Sequence, residues 1–282
     1  MNLTRQDVLA HQQHAPWADL LQVEQDLLLS LAMVAIFDDE FLSQQVAMRG
    51  GTALHKVHLA PAVRYSEDID LVLVGERFPD HVEKALHRVL DGILGRPVRA
   101  VWEEVKLAFR NFLLSSTIRR LTFAVPSTLE PGVSLKVKVE VNVSEKDSWR
   151  PMERIDHGVE VRGEVRSAEI VTYSLDEILG TKMRALFQRR QGRDLFDLYW
   201  AMAGMVEPRG APADPVGVVD AFQFYMHGEG SKVTGGELKT ELEARLYDPA
   251  FCSDTDILLR AGVDYDVREA GRLVQERLLA RF

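Results

Sequence analysis

Ser66-Glu67-Asp68-Ile69-Asp70-Leu71-Val72-Leu73-Val74 is the stretch from which the fold can be read. Side chains alternate across a strand with a period of two, so Asp68 and Asp70 share one side and Ile69, Leu71 and Leu73 the other. The two carboxylates then stand about 7 Å apart at Cα, given a rise of about 3.4 Å per residue. That is close enough for both to hold one hard cation or to bridge two. Burying like charges beside an apolar strand is costly unless a cation compensates. An isolated Asp-x-Asp is most often a turn or a solvated strand face, so its neighbours decide its meaning.

Upstream lies a short apolar piece, Val46 to Met48, then Arg49-Gly50-Gly51 and a predicted helix from Thr52 to Leu59. A glycine turn leading from a strand into a helix lets backbone N–H groups approach a phosphate, with the Thr52 hydroxyl as a further donor. Downstream, Asp80 to Leu94 reads as an amphipathic helix. Val98 to Phe109, Phe112 to Val125 and Val133 to Val143 read as strands. The last alternates cleanly, placing Lys136, Lys138, Glu140 and Asn142 on one face, so Glu140 is a candidate third carboxylate if its strand neighbours Asp68 and Asp70. Oxygen-only ligands point to Mg²⁺ or Mn²⁺, and no His/Cys cluster suggests zinc.

Before this region the pattern is helical, with Asp26 opening an apolar run. Glu145 to Tyr173 is read as a loop-rich connection with room for short strands. From Ser174 the grammar turns helical, opened by Ser174-Leu175-Asp176-Glu177 as a capping box. That helix should run to about Arg190, be broken at Gly192, and be followed by one from Asp194 to near Gly204. Three or four more helices fill the remainder. The expectation is an α+β protein, with residues 1–173 forming a mixed-sheet domain and residues 174–282 a helical one.

The chain has 282 residues, 46% apolar and 27% charged, enough for a sizeable core and unlike a disordered, collagenous or disulfide-scaffold protein. A formal charge of −9 excludes a surface that wraps nucleic acid on every side, but not a local basic groove. The longest apolar run, Leu27 to Phe37, is short of the roughly 20 residues a membrane span needs and reads as a buried helix. With no targeting segment visible and a single cysteine, Cys252, the expectation is a cytoplasmic protein with no membrane partner.

The Gly-Gly-Thr turn ahead of an Asp-x-Asp strand resembles the phosphate cradle and metal site of polymerase-β-like nucleotidyltransferases. The resemblance narrows with four ordered motifs: Arg49-Gly50-Gly51-Thr52-Ala53-Leu54; Arg64-Tyr65-Ser66-Glu67-Asp68-Ile69-Asp70-Leu71; Lys182 with Arg189; and Arg193-Asp194-Leu195-Phe196-Asp197-Leu198. Together they resemble the AbiEii/AbiGii toxin family, although the family's glycine-serine turn has threonine here. The resemblance implies a nucleotidyltransferase fold with a helical C-terminal half. It also implies a toxin role beside an antitoxin encoded by an adjacent gene, and transfer of nucleotides from NTP to an RNA, chiefly the tRNA 3′ end.

In that frame Asp68 and Asp70, with Glu140, are the metal ligands, and Asp68, Asp70, Lys182 and Asp197 the catalytic set. Gly50, Gly51, Thr52, Arg64, Ser66, Lys182, Arg189, Arg193 and Asp194 are the nucleotide-binding set. Lys182 and Arg189 lie two helical turns apart and share a face, suited to triphosphate charge. Asp194 reads either as a helix N-cap or as a partner that orients Lys182 or Arg193. Ser66, on the carboxylate side of its strand, is a candidate regulatory phosphorylation site, since a phosphoryl group would repel an incoming triphosphate. Two rival readings stand: the same chemistry on a small molecule such as an aminoglycoside, and a binding protein with a vestigial site.

Overall fold

A computed structural model of the chain describes residues 3–15, 17–109, 112–228 and 233–282. Helices α1 (Arg5–His11), α2 (Leu20–Asp38) and α3 (Leu42–Gln45) lead into β1 (Val46–Arg49). The short α4 (Gly50–Thr52) runs on as a π-helix, Ala53–His58, before β2 (Asp68–Leu73) and α5 (Pro79–Leu94). Then come β3 (Arg99–Phe109), β4 (Phe112–Pro126), β5 (Ser134–Asn142), β6 (Glu153–Val161) and β7 (Glu164–Thr172). The rest is helical: α6 (Leu175–Arg189), α7 (Gly192–Met202), α8 (Pro215–Gly228), α9 (Gly235–Arg245), α10 (Pro249–Ser253) and α11 (Val267–Arg277).

All seven strands join one mixed sheet in the order β3-β4-β5-β2-β1-β7-β6. β2 is central, antiparallel to β1 and parallel to β5. Its register sets Asp68 beside Lys138 and Asp70 beside Glu140 on β5, and Asp70 beside Arg49 on β1. The alternation read from the sequence therefore becomes one face of charged side chains gathered from three adjacent strands. The opposite phase (Ile69, Leu71, Val137, Val139) is buried in a core that also takes in Leu179, Met183 and Leu186 of α6. The change from strands to helices falls between β7 and α6.

Helix α2 is long and apolar enough to cross a membrane, yet nearly all of it is buried against the sheet and α5. Asp19, not Asp26, caps it, accepting from the Leu21 amide at 2.8 Å. Asp26 lies inside the helix, where Lys56, His11 and Trp17 surround its carboxylate. The connection read as loop-rich with short strands is a loop only up to residue 152, and the rest is the long β6–β7 hairpin, turned by Arg162 and Gly163 at φ 57° and 76°. β6 does alternate, with His157, Val159 and Val161 buried, but Glu164 to Ser167 of β7 are all exposed, so the period fades in the second strand. The capping box at α6 is half formed. Ser174 accepts from the Glu177 amide, while the Glu177 carboxylate accepts from the Trp149 and Arg150 amides and from Tyr225.

Candidate active site

A cleft of about 460 Å³ opens over the charged face of β2 and β5. Asp68 and Asp70 line it with the Gly50-Gly51 turn, Glu140 and Glu145, and with the cations Arg49, Arg120, Lys138, Lys182, Arg184 and Arg189. The turn works by what it lacks. Gly50 adopts φ +81°, and a Cβ there would sit 2.1 Å from the Asp70 carboxylate. A Cβ on Gly51 would stand 2.5 Å from the Arg64 guanidinium. Two glycines are required because acidic and basic side chains press directly onto their backbone.

Burial, and then the charge of Asp70, push the Asp68 carboxyl up to about 6. Burial and then Glu140 push Asp70 up as well, against the field of Arg189, Arg49 and Lys182. Two hard-oxygen donors whose ionised forms are disfavoured are what a divalent cation relieves, so the donor set suits Mg²⁺ or Mn²⁺. Glu140 lines the same cleft, and its charge reaches Asp70. Its register neighbour is Asp70, but its carboxylate accepts from Arg120 Nε at 2.7 Å, and Arg120 also reaches Glu103. Among the described residues no three His, Cys, Asp or Glu side chains form a ready-made metal cluster.

Thr52 does not offer its hydroxyl to the cleft. It is fully buried, and Oγ1 donates to the Asp68 carbonyl at 2.6 Å, with the Ser66 hydroxyl 2.9 Å from the same oxygen. It pins the turn to β2 and so fixes where Asp68 begins. Arg64 is buried too, gripping Asp197 through Nε at 2.7 Å and Nη2 at 2.9 Å. Arg193 pairs with Asp254 at 3.0 Å and lines no part of the cleft.

Lys182 and Arg189 face the cleft from α6 as their spacing predicted. Lys182 Nζ lies 2.8 Å from Asp197 and 3.1 Å from Asp194. Asp194 is the third residue of α7, whose N-cap is Gln191, so it orients Lys182 and does not cap. Asp197 is 0% exposed and also meets His55 Nε2 at 2.7 Å. Against burial, which pushes it up, Arg64, Lys182 and His55 hold its carboxyl well below the ordinary range. It touches no cleft surface and acts through the lysine it holds.

Sequence reasoning missed Glu145, which accepts from Arg49 and Arg184 at once and fixes both on the cleft wall. It also missed Arg120, and it placed Lys138 on the Glu140 face without pairing it with Asp68, from which it lies 3.1 Å. The alternating face of β5 was the available signal for Lys138.

The model of the AbiEii nucleotidyl transferase toxins of type IV toxin–antitoxin systems matches residues 31–268. The chain belongs to the AbiEii family. No curated protein matches its sequence. Among solved structures, the AbiEii chain is similar to the nucleotidyltransferase toxin MenT4 of Mycobacterium tuberculosis, at 15% identity and a TM-score of 0.62, covering 100% of this chain and 91% of that one. JHP933 of Helicobacter pylori matches at 15% identity and a TM-score of 0.46, over 99% and 92% of the two chains. The MenT4 likeness shows a shared nucleotidyltransferase fold, and AbiEii membership makes this chain a toxin nucleotidyltransferase with an antitoxin partner.

Proposed function

We propose that this toxin transfers nucleotides from NTP to the 3′ end of an RNA, foremost tRNA, and so blocks translation. The observation that carries the reading is a single cleft in which Asp68 and Asp70 face six cationic side chains. A carboxylate pair surrounded by excess positive charge suits a metal-bound triphosphate better than a neutral ligand. A divalent metal held by Asp68 and Asp70 would acidify the acceptor hydroxyl and offset charge on the leaving pyrophosphate.

The chain's own groups then have distinct tasks. Lys182, fixed by Asp194 and Asp197, and Arg189, which has no ion-pair partner among the described residues, face the triphosphate and offset negative charge as it develops. Gly50 and Gly51 let substrate approach the backbone beside Asp70. In-line attack by the acceptor oxygen forms the new P–O bond at the α-phosphorus as the bond to pyrophosphate breaks, so no protein nucleophile is needed. A phosphoryl group on Ser66, whose hydroxyl abuts Thr52 behind the turn, would add about −1.5 to −2 charges there and oppose NTP binding. Mass spectrometry of the silenced toxin tests that modification.

The experiment for the main reading is incubation with total tRNA, each α-labelled NTP and Mg²⁺ or Mn²⁺. Label on the tRNA 3′ end is the expected result. Label on an aminoglycoside, or none on RNA with any NTP, would overturn the acceptor assignment.

A further inference from the structure

A second cavity, of about 470 Å³, shares no lining residue with the cleft. Its inner wall carries His11, Asp26, Lys56 and His157, and Arg209 and Arg260 also line it. Asp26 accepts from His11 Nε2 at 2.8 Å, Trp17 Nε1 at 3.1 Å and Lys56 Nζ at 2.6 Å. An ionised carboxylate only accepts, so Nε2 of His11 carries a proton, and in the neutral ring Nδ1 is then the acceptor. That Nδ1 is buried and has no partner. The His157 ring donates to the Lys56 carbonyl, and its Nε2 is likewise buried and unpartnered. His11 and His157 are 5% and 7% exposed, and the surrounding field of Lys56 and Arg209 adds to burial in keeping His157 neutral.

Two imidazole rings, each with a buried nitrogen that has no partner, therefore line a cavity edged by positive charge, in a chain of net charge −9. Neither Arg209 nor Arg260 has a carboxylate partner among the described residues. Arg209 Nη1 reaches only the Asp156 carbonyl, at 3.3 Å, and Glu160 is the other acid lining the cavity.

A bare oxyanion would satisfy the guanidinium groups and leave the imidazole lone pairs empty. An apolar ligand would satisfy neither. The missing chemistry is a molecule with N–H or O–H donors at one end and a phosphate at the other, of a size that small-ligand cavities commonly take. We propose that this cavity is a second ligand site, for a nucleoside monophosphate, free or as a residue of an RNA strand. The base or ribose donates to His11 Nδ1 and His157 Nε2, and the phosphate meets Arg209 and Arg260. Lys56 reaches this cavity from the π-helix that begins behind the Gly50–Thr52 turn, so the two sites share an element. The proposal stands apart from the choice of acceptor in the cleft.

The test is calorimetric titration of the Asp68→Asn protein, whose cleft is impaired, with AMP, CMP, GMP and UMP, with inorganic phosphate, and with a short RNA. At least one monophosphate should bind at least about tenfold more tightly than inorganic phosphate. The paired substitution Arg209→Ala and Arg260→Ala should weaken it by at least about tenfold with an unchanged thermal midpoint. The His157 Nε2 resonance in ¹⁵N spectra should move on binding as the lone pair takes a hydrogen bond. RNA binding with the same dependence on Arg209 and Arg260 would assign the site to a strand; its absence would assign it to the free nucleotide. No binding at millimolar monophosphate, equal binding of inorganic phosphate, or indifference to the Arg209 and Arg260 changes would overturn the proposal.

Discussion

Replacing Asp197 by asparagine separates a residue that holds the site from one that performs the chemistry. The carboxylate meets Arg64 at 2.7 and 2.9 Å and His55 at 2.7 Å out of solvent, and Lys182 at 2.8 Å on the cleft wall. Two unit charges at that separation attract by about 6 kcal/mol at an effective dielectric of about 20, much of it cancelled by the cost of desolvating them. What remains exposed by the substitution is the other half of the pair. Arg64 is 3% exposed and would be left charged and buried with an amide in place of its counter-ion. Removing one partner of a buried pair costs about 3–5 kcal/mol. For a chain of this size the midpoint should fall by about 6–20 °C, at roughly 2–4 °C per kcal/mol. Urea unfolding followed by tryptophan fluorescence measures the loss. Nucleotide transfer assayed well below the new midpoint should still be strongly reduced, because Lys182 has lost its anchor. Lys182→Met should lose comparable activity with much less loss of stability, since Asp197 keeps Arg64. An Asp197→Asn protein with the parent's midpoint would refute this account, as would one with full activity.

Three further outcomes are expected. Asp70→Asn should abolish transfer while raising the thermal midpoint, because burial and Glu140 disfavour the ionised carboxylate in the folded state; a lowered midpoint would contradict that electrostatic picture. Gly50→Ala should cost about 1–2 kcal/mol in backbone strain and silence the enzyme by driving Cβ into Asp70, read by calorimetry and transfer assay. Burial holds His58 at about 4 and His157 at about 3; the unfolded chain therefore binds their protons first as pH falls, so their contribution is full above about 6.5 and is lost as pH falls to about 4 for His58 and about 3 for His157. Each proton contributes about 1.4 kcal/mol per pH unit, so His157→Gln should flatten the dependence of unfolding free energy on pH by about that amount between pH 6 and 4.

The sequence by itself determined whatever depends on local period. Alternation put Asp68 and Asp70 on one strand face, and helical spacing put Lys182 and Arg189 on one helix face. A pair of glycines before a helix marked the turn, and the four ordered motifs marked the family. These features lie within short windows, where backbone geometry alone fixes which side chains share a side. Only the tertiary structure decided what each polar group is bonded to. Arg64 and Asp197 are 133 positions apart, Arg49 and Glu145 are 96, and no window of sequence shows that one charge answers the other. Thr52 has one hydroxyl proton to give, and the Asp68 carbonyl takes it before any phosphate could. Glu140 lies beside Asp70 by register, yet Arg120, arriving from the next strand, draws its carboxylate into a different pair. Which face a side chain occupies is set by its own backbone, but what it does there is set by whichever partner the fold brings within about 3 Å, the reach of a hydrogen bond.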